Sequence, residues 1–320
     1  MNKKTDLNEL LTMLDWPFDK LLHAAEKITA DNFTDEVEFC SIVSAKTGAC
    51  SEDCKYCAQS VHNNTNISAH PLLSLEEIKK CALEAKQNGA VRFSIVTSGK
   101  SPEEKDFPVL LEMIGVLKSI SGITPCASLG ILTEAQIKAL KNSGVVRYHH
   151  NLNTCKSYHN QICSTHTYEE RITTLELCKQ YGMEICAGGI IGMGETRKQR
   201  VELACELAEL QPNSVPVNFL HPIEGTPFAI HKASINSKEI LRTLAIFRIA
   251  MPGAVIRYGG GRTMHLSPEE QELGIKIGVN GLLAGNYLTT VGSTPEEDKE
   301  MIARVGKKIS SANIRADISR

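Results

Sequence analysis

The 320-residue sequence has no apolar run long enough to cross a bilayer, no apolar signal core behind its polar start, and no block of lysine and arginine. Lipid and nucleic acid are therefore poor candidate partners, and the cytoplasm is the expected compartment. No Pro/Gly/Ser-rich linker divides the chain, and a GxGxxG fingerprint is missing after the first predicted strand, which counts against an open dinucleotide-binding sheet. The net charge of -2, with 42% hydrophobic and 22% charged residues, fits a globular protein with a sizeable core. Eleven cysteines are an odd number in a compartment that keeps thiols reduced, so metal or redox chemistry is a better expectation than a disulfide framework.

What is present is an alternation. Strand-like segments fall at 38–44, 91–98, 124–130, 145–151, 184–192, 214–220, 254–260 and 279–285, with helical patterns between them. Two of these are clearly punctuated: residues 75–88 follow Ser74 and stop at Gly89, and residues 133–143 stop at Gly144. Eight strand–helix units predict a (β/α)8 TIM-type barrel. We expect one domain: a helical N-terminal extension over about 1–36 (helical from Leu7 to Asn32), a barrel over 37–290, and a C-terminal helix and tail over 291–320.

Directly after the first strand comes CxxxCxxC, at Cys50, Cys54 and Cys57. Three thiolates on one short loop can hold three irons of a 4Fe-4S cubane and leave the fourth iron open, as a catalytic cluster requires. A structural zinc site would more often bring separated cysteine pairs. Such a loop would lie on the C-terminal face, where barrel enzymes keep their chemistry.

This loop, with Tyr56 before its last cysteine, resembles that of radical S-adenosylmethionine enzymes, and the string AKTGACSEDCKYCAQS at 45–60 is similar to that of the biotin synthase family. The resemblance extends through LHAAE (22–26), GGIIGMGET (188–196), IRYGGGR (256–262) and AGNYLTT (284–290). It implies reductive cleavage of S-adenosylmethionine to a 5'-deoxyadenosyl radical, and insertion of sulfur into dethiobiotin. It further implies an auxiliary cluster held by Cys126, Cys186, Arg257 and a cysteine on the second strand. That cysteine is replaced here by Ser94, and we expect Cys40, on the first strand, to supply the missing thiolate. Cys40, Cys126, Cys186 and Arg257 fall on strands one, three, five and seven, which alternate-strand layering could bring into one inward-facing set. Both a 2Fe-2S and a four-iron type stay open.

For S-adenosylmethionine we expect contacts from Tyr56, from Asn151 and Asn153 as two same-facing residues of an extended segment, from a close backbone approach at Gly188 and Gly189, and from Ile190 and Ile191 over the adenine. His149 and Asn218 are the expected substrate contacts, Asn218 at the ureido ring. His221, Glu224 and the remaining cysteines, Cys81, Cys155, Cys163, Cys178 and Cys205, read as solvated or structural. The resemblance also implies a homodimer and an electron donor such as flavodoxin or ferredoxin. The rivals are a maturase or mutase of the same radical branch, which need not carry Cys126 and Cys186, and an electron carrier, which would saturate every iron.

Overall fold

The computed structural model describes residues 6–231, 235–285, 292–312 and 314. Its strands are β1 (Glu36–Lys46), β2 (Arg92–Thr97), β3 (Thr124–Ser128), β4 (Arg147–His149), β5 (Glu184–Cys186), β6 (Gly189–Ile191), β7 (Ser214–Phe219), β8 (Val255–Tyr258), β9 (Val279–Leu283) and β10 (Lys308–Ile309). β1 to β9 pair in parallel in chain order, β5 and β6 together making the fifth stave, and β1 pairs with β9 to close the ring. The result is the predicted eight-stave barrel.

The helices are α1 (Leu7–Leu14), α2 (Phe18–Asn32), α3 (Leu75–Gln87), α4 (Phe107–Lys118), α5 (Glu134–Ser143), α6 (Lys156–Ile162), α7 (Tyr168–Gln180), α8 (Arg197–Leu210), α9 (Ser237–Ala250), α10 (Arg262–His265), α11 (Pro268–Ile277) and α12 (Pro295–Arg304). Ser74 and Thr133 close capping boxes with Glu77 and Gln136, and Gly144 ends α5 at φ 114°. These caps satisfy backbone groups that a helix end leaves open. The N-terminal extension is two helices. α1 packs on α8 and α9, and α2 on α9 and α11, so the extension covers one side of the barrel.

Two features depart from the expected outline. The C-terminal helix stops at Arg304, and the chain then adds β10 to the start of β1, with Glu36 opposite Lys308; residues 286–290 of the expected barrel, and 291, 313 and 315–320 of the expected C-terminal helix and tail, lie outside the described residues. The fifth stave also breaks at Ala187 and Gly188. A Cβ on Gly188 would sit 1.9 Å from the Pro216 carbonyl oxygen, so β7 occupies the space a regular strand would need.

Candidate active site

The loop carrying Cys50, Cys54 and Cys57 leaves β1 through Gly48 and Ala49, both at positive φ (76° and 50°). It is then tied down by backbone and amide donors. Cys50 N donates to Gln59 O at 3.0 Å and Val61 N to Cys50 O at 2.9 Å, and Asn63 Nδ2 donates to the carbonyls of Cys54 and Cys57 at 3.1 and 2.8 Å. Asp53 anchors the loop to the α6–α7 connection by accepting from Ser164 N at 2.8 Å and Thr165 N at 3.2 Å. Burial works against its ionisation, but the Ser164 and Thr165 hydrogen bonds hold Asp53 well below the usual carboxylate range.

Among the described residues, the one cysteine- or histidine-rich trio compact enough for a single ion is Cys54, Cys163 and His166, whose ligand atoms all lie within 4.8 Å of one another. The three loop cysteines are spread more widely than that. Such spacing fits a multi-iron group better than one tetrahedral ion, which draws its sulfurs to about 2.3 Å from a common centre.

Two cavities meet at this loop. The larger, about 350 Å³, is lined by Tyr56 and Cys57 and by Cys40, Cys186, Arg257, His149 and Asn218. The smaller, about 210 Å³, is lined by Cys50, Cys54, His166 and Arg171, and Asn151 and Asn153 belong to the wall of both.

The two asparagines do not arrive there as expected. Asn153 is not extended: its φ is 68°, and its N–H and carbonyl pair with Gly188 O and Ile190 N at 3.1 and 2.8 Å. Asparagine tolerates this left-handed conformation better than most residues. Its Nδ2 donates to the Tyr56 hydroxyl at 2.6 Å, while Asn151 Oδ1 accepts from Gly188 N at 3.1 Å. The pair thus shares a wall through a bend, not through strand alternation.

Gly188 and Gly189 also differ from their expected role. Cβ atoms there would meet the Pro216 carbonyl and, 2.5 Å away, Leu203 Cδ2; it is the protein's own chain that requires these glycines. Ile190 lines the larger cavity, but Ile191 on the opposite face of β6 is buried in the main core and cannot cover a ligand there. Asn218 accepts from Gly260 N at 2.9 Å and donates to Gly189 O at 3.3 Å at the cavity wall.

Below, the barrel wall carries the second set. Cys40, Cys126 and Cys186 are buried, and each feels the charge of another thiol of the set. Burial pushes all three thiols up, while Arg257 beside Cys40, Arg92 beside Cys126 and Arg147 beside Cys186 pull them back toward thiolate. Glu38, at the base, accepts from Arg92 Nε and Arg147 Nη1, each at 3.3 Å, and from Arg257 Nη2 at closer range. Burial opposes its ionisation, but Arg257, Arg147 and Arg92 bring its carboxyl down to about 2. Glu184 holds Arg92 Nη2 and Arg147 Nη2 at 3.0 and 2.9 Å. Three guanidiniums against two carboxylates leave one positive charge facing the thiols.

That surplus suits an anionic iron–sulfur group. So do two buried polar atoms with no partner, Ser94 Oγ and His149 Nε2. Ser94 is level with Cys126 on β3 and with Ile42 on β1, and Cys40 lies one inward position below it, level with Arg92. Burial first, and Arg147 second, keep His149 neutral, so its ring can offer Nε2 as donor or acceptor. Arg257 is more heavily engaged than a free ligand: Nη1 donates to Glu38 O and Leu282 O at 3.1 and 2.9 Å.

Three features had no local signal in the sequence. Arg171, on α7, reaches the small cavity and donates to Asn151 O at 2.8 Å. Glu38 and Arg92 organise the barrel base. Cys163, taken as structural, lies against Cys54.

The Radical SAM superfamily profile matches residues 45–207, and that of the Biotin and Thiamin Synthesis associated domain matches residues 216–308. The chain is 48% identical over 291 residues to a biotin synthase of Acetivibrio thermocellus, covering 91% of this chain and 90% of that one. It is 45% identical over 303 residues to one of Clostridium tetani, covering 93% and 92%. Among solved structures, methylornithine synthase aligns with a TM-score of 0.81 at 19% identity over 97% of this chain and 95% of that one. The FeFe-hydrogenase maturase HydG of Carboxydothermus hydrogenoformans aligns at 0.82 and 18% over 97% and 77%. At such identities these two share the fold.

Proposed function

Because this chain belongs to the biotin synthase family of the radical S-adenosylmethionine superfamily, we infer that it forms biotin from dethiobiotin by radical insertion of sulfur. The observation that supports this best is a single cavity lined by Cys57 of the loop and by Cys40, Cys186 and Arg257 of the wall. A substrate lodged there lies between the two sets of thiols. A maturase or mutase would not call for the second set.

Cys50, Cys54 and Cys57 hold the 4Fe-4S cluster of this superfamily, which when bound supplies the electron that splits the sulfonium of S-adenosylmethionine. The chain's own contribution is orientation. Arg171 offers its guanidinium to the carboxylate of S-adenosylmethionine, Asn151 and Asn153 face the ribose hydroxyls across the shared wall, and Tyr56 and Ile190 give apolar surface for the adenine. Asn218 and neutral His149 face the ureido ring and polar end of dethiobiotin. The barrel wall behind the cavity shields the radical from water on that side.

Cys40, Cys126 and Cys186 hold the auxiliary sulfur donor, of 2Fe-2S or four-iron type, with Cys40 in place of the thiolate absent at Ser94. Arg257 joins the set, with Arg92 and Arg147, as a charge partner as much as a ligand. The whole chain works as one barrel domain, as a homodimer, in the cytoplasm, drawing electrons from flavodoxin or ferredoxin. Among the described residues no helix is long and apolar enough to cross a membrane.

The test is anaerobic reduction of fully loaded protein with S-adenosylmethionine and dethiobiotin. The expected products are 5'-deoxyadenosine and biotin. Deoxyadenosine without biotin would overturn the substrate and leave the superfamily standing.

A further inference from the structure

Cys163 lies on the connection between α6 and α7, 109 positions from Cys54 in sequence, yet the two sulfurs and a His166 ring nitrogen fall within 4.8 Å of one another. Backbone geometry holds them there. Lys55 N donates to Ile162 O at 2.9 Å, so the two cysteines flank one hydrogen bond between the loops, and Asp53 grips Ser164 and Thr165 beside it.

A metal ion is a poor tenant for this trio. Arg171 Nε and Nη2 point at His166 Nε2 from 2.9 and 2.7 Å, which leaves the lone pair on Nε2 and the hydrogen on Nδ1. Nδ1 then donates to Glu52 and to Cys163 Sγ, the latter at 3.3 Å. An ion on Nδ1 would push that hydrogen onto the nitrogen already facing Arg171. Two thiols remain that can react with each other.

We propose that, when the chain carries no cluster, Cys54 and Cys163 form a reversible disulfide, with a low-molecular-weight disulfide as oxidant. Cys54 lines the smaller cavity and Cys163 does not, so access sets the order of events. Cys54, whose proton is taken up across its hydrogen bond to Cys163 as it reacts, attacks the small disulfide, forms a mixed disulfide and releases one small thiolate, which collects that proton in turn. The Cys163 thiolate then attacks the Cys54 sulfur, forms the protein S–S bond and releases the second. Two protein thiols are oxidised, one small disulfide is reduced to two thiols, and the two protons from the cysteines pass to the departing thiolates. Side-chain rotation brings the sulfurs to the bond length of about 2.05 Å.

With iron on Cys54 its sulfur is occupied and the cross-link to Cys163 cannot form. The bond therefore marks the cluster-free state, and it keeps Cys54 from irreversible oxidation until reduction reopens the loop. This goes beyond the assigned reaction and holds whatever substrate the loaded enzyme takes.

The experiment uses full-length, cluster-free, reduced protein exposed anaerobically to oxidised glutathione, then alkylated, digested and mapped by mass spectrometry. The expected dominant cross-link joins Cys54 to Cys163, and subsequent iron and sulfide uptake falls several-fold until dithiothreitol restores it. Cys163→Ser should retain glutathione on Cys54 and show no such cross-link. A wild-type map dominated by pairs within Cys50, Cys54 and Cys57, or by glutathione on Cys54 with no cross-link, would overturn the proposal.

Discussion

Arg257 lays its guanidinium along Glu38, with Nη2 on the carboxylate and Nη1 on the same residue's carbonyl oxygen at 3.1 Å. Register brings this about: Arg257 on β8 is opposite Gly281 on β9, which is opposite Glu38 on β1. A side chain at 281 would stand in the way, since a Cβ there would lie 2.9 Å from the guanidinium carbon.

Glu38→Gln should therefore be costly. Removing the carboxylate leaves three buried guanidiniums with Glu184 alone, and breaking a buried pair from one side costs about 3–5 kcal/mol. Because the folded pKa, about 2, lies below the ordinary 4.5, the stabilisation is complete above the unfolded value and is lost as pH falls toward 2. Urea titrations between pH 5 and 2 should show wild type losing stability with a steeper slope than the variant. Equal slopes would mean that Glu38 is not held as a carboxylate.

Cys54→Ala should abolish 5'-deoxyadenosine formation while the auxiliary iron still assembles, because Cys54 stands on the loop beyond β1 at the smaller cavity, whereas Cys40, Cys126 and Cys186 lie within the strands of the barrel wall. Iron and sulfide analysis with Mössbauer spectroscopy separates the two. Loss of all iron would show that the sites assemble as one.

Cys40→Ala should lose auxiliary iron and biotin formation and keep S-adenosylmethionine cleavage, whereas Ser94→Ala should keep the cluster. A serine oxygen is a harder donor than thiolate for iron–sulfur ligation, and Cys40 is the nearby wall thiol not otherwise engaged. Full auxiliary iron in Cys40→Ala would sink this assignment.

Gly188→Ala should destabilise by about 3 kcal/mol. The added methyl would fall 1.9 Å from the Pro216 carbonyl, which is backbone and cannot swing aside, so β7 must shift with it. A urea midpoint within error of wild type would show that the bend relaxes freely.

Much of this was visible in the chain before folding. Strand–helix alternation and the caps at Ser74 and Thr133 are local signals, and all eight staves lie where the apolar segments predict them. The placement of Cys40, Cys126, Cys186 and Arg257 on alternate staves follows from the same count. What stayed hidden depends on distant partners. The left-handed turn at Asn153 exists because Gly188 and Ile190 clamp it, Ile191 faces the core because the fifth stave restarts at Gly189, and β10 forms because β1 offers an edge. Cys163 next to Cys54 had no signal at all, since only the packing of the α6–α7 connection on the cysteine loop joins them.

The knot of Glu38 with Arg92, Arg147 and Arg257 also acts as a floor. With these four side chains buried across the barrel's base, the wall behind Cys40 and Cys186 is sealed by paired charge and not by an apolar plug, so whatever occupies the deep end of the larger cavity rests on a rigid, ionic foundation.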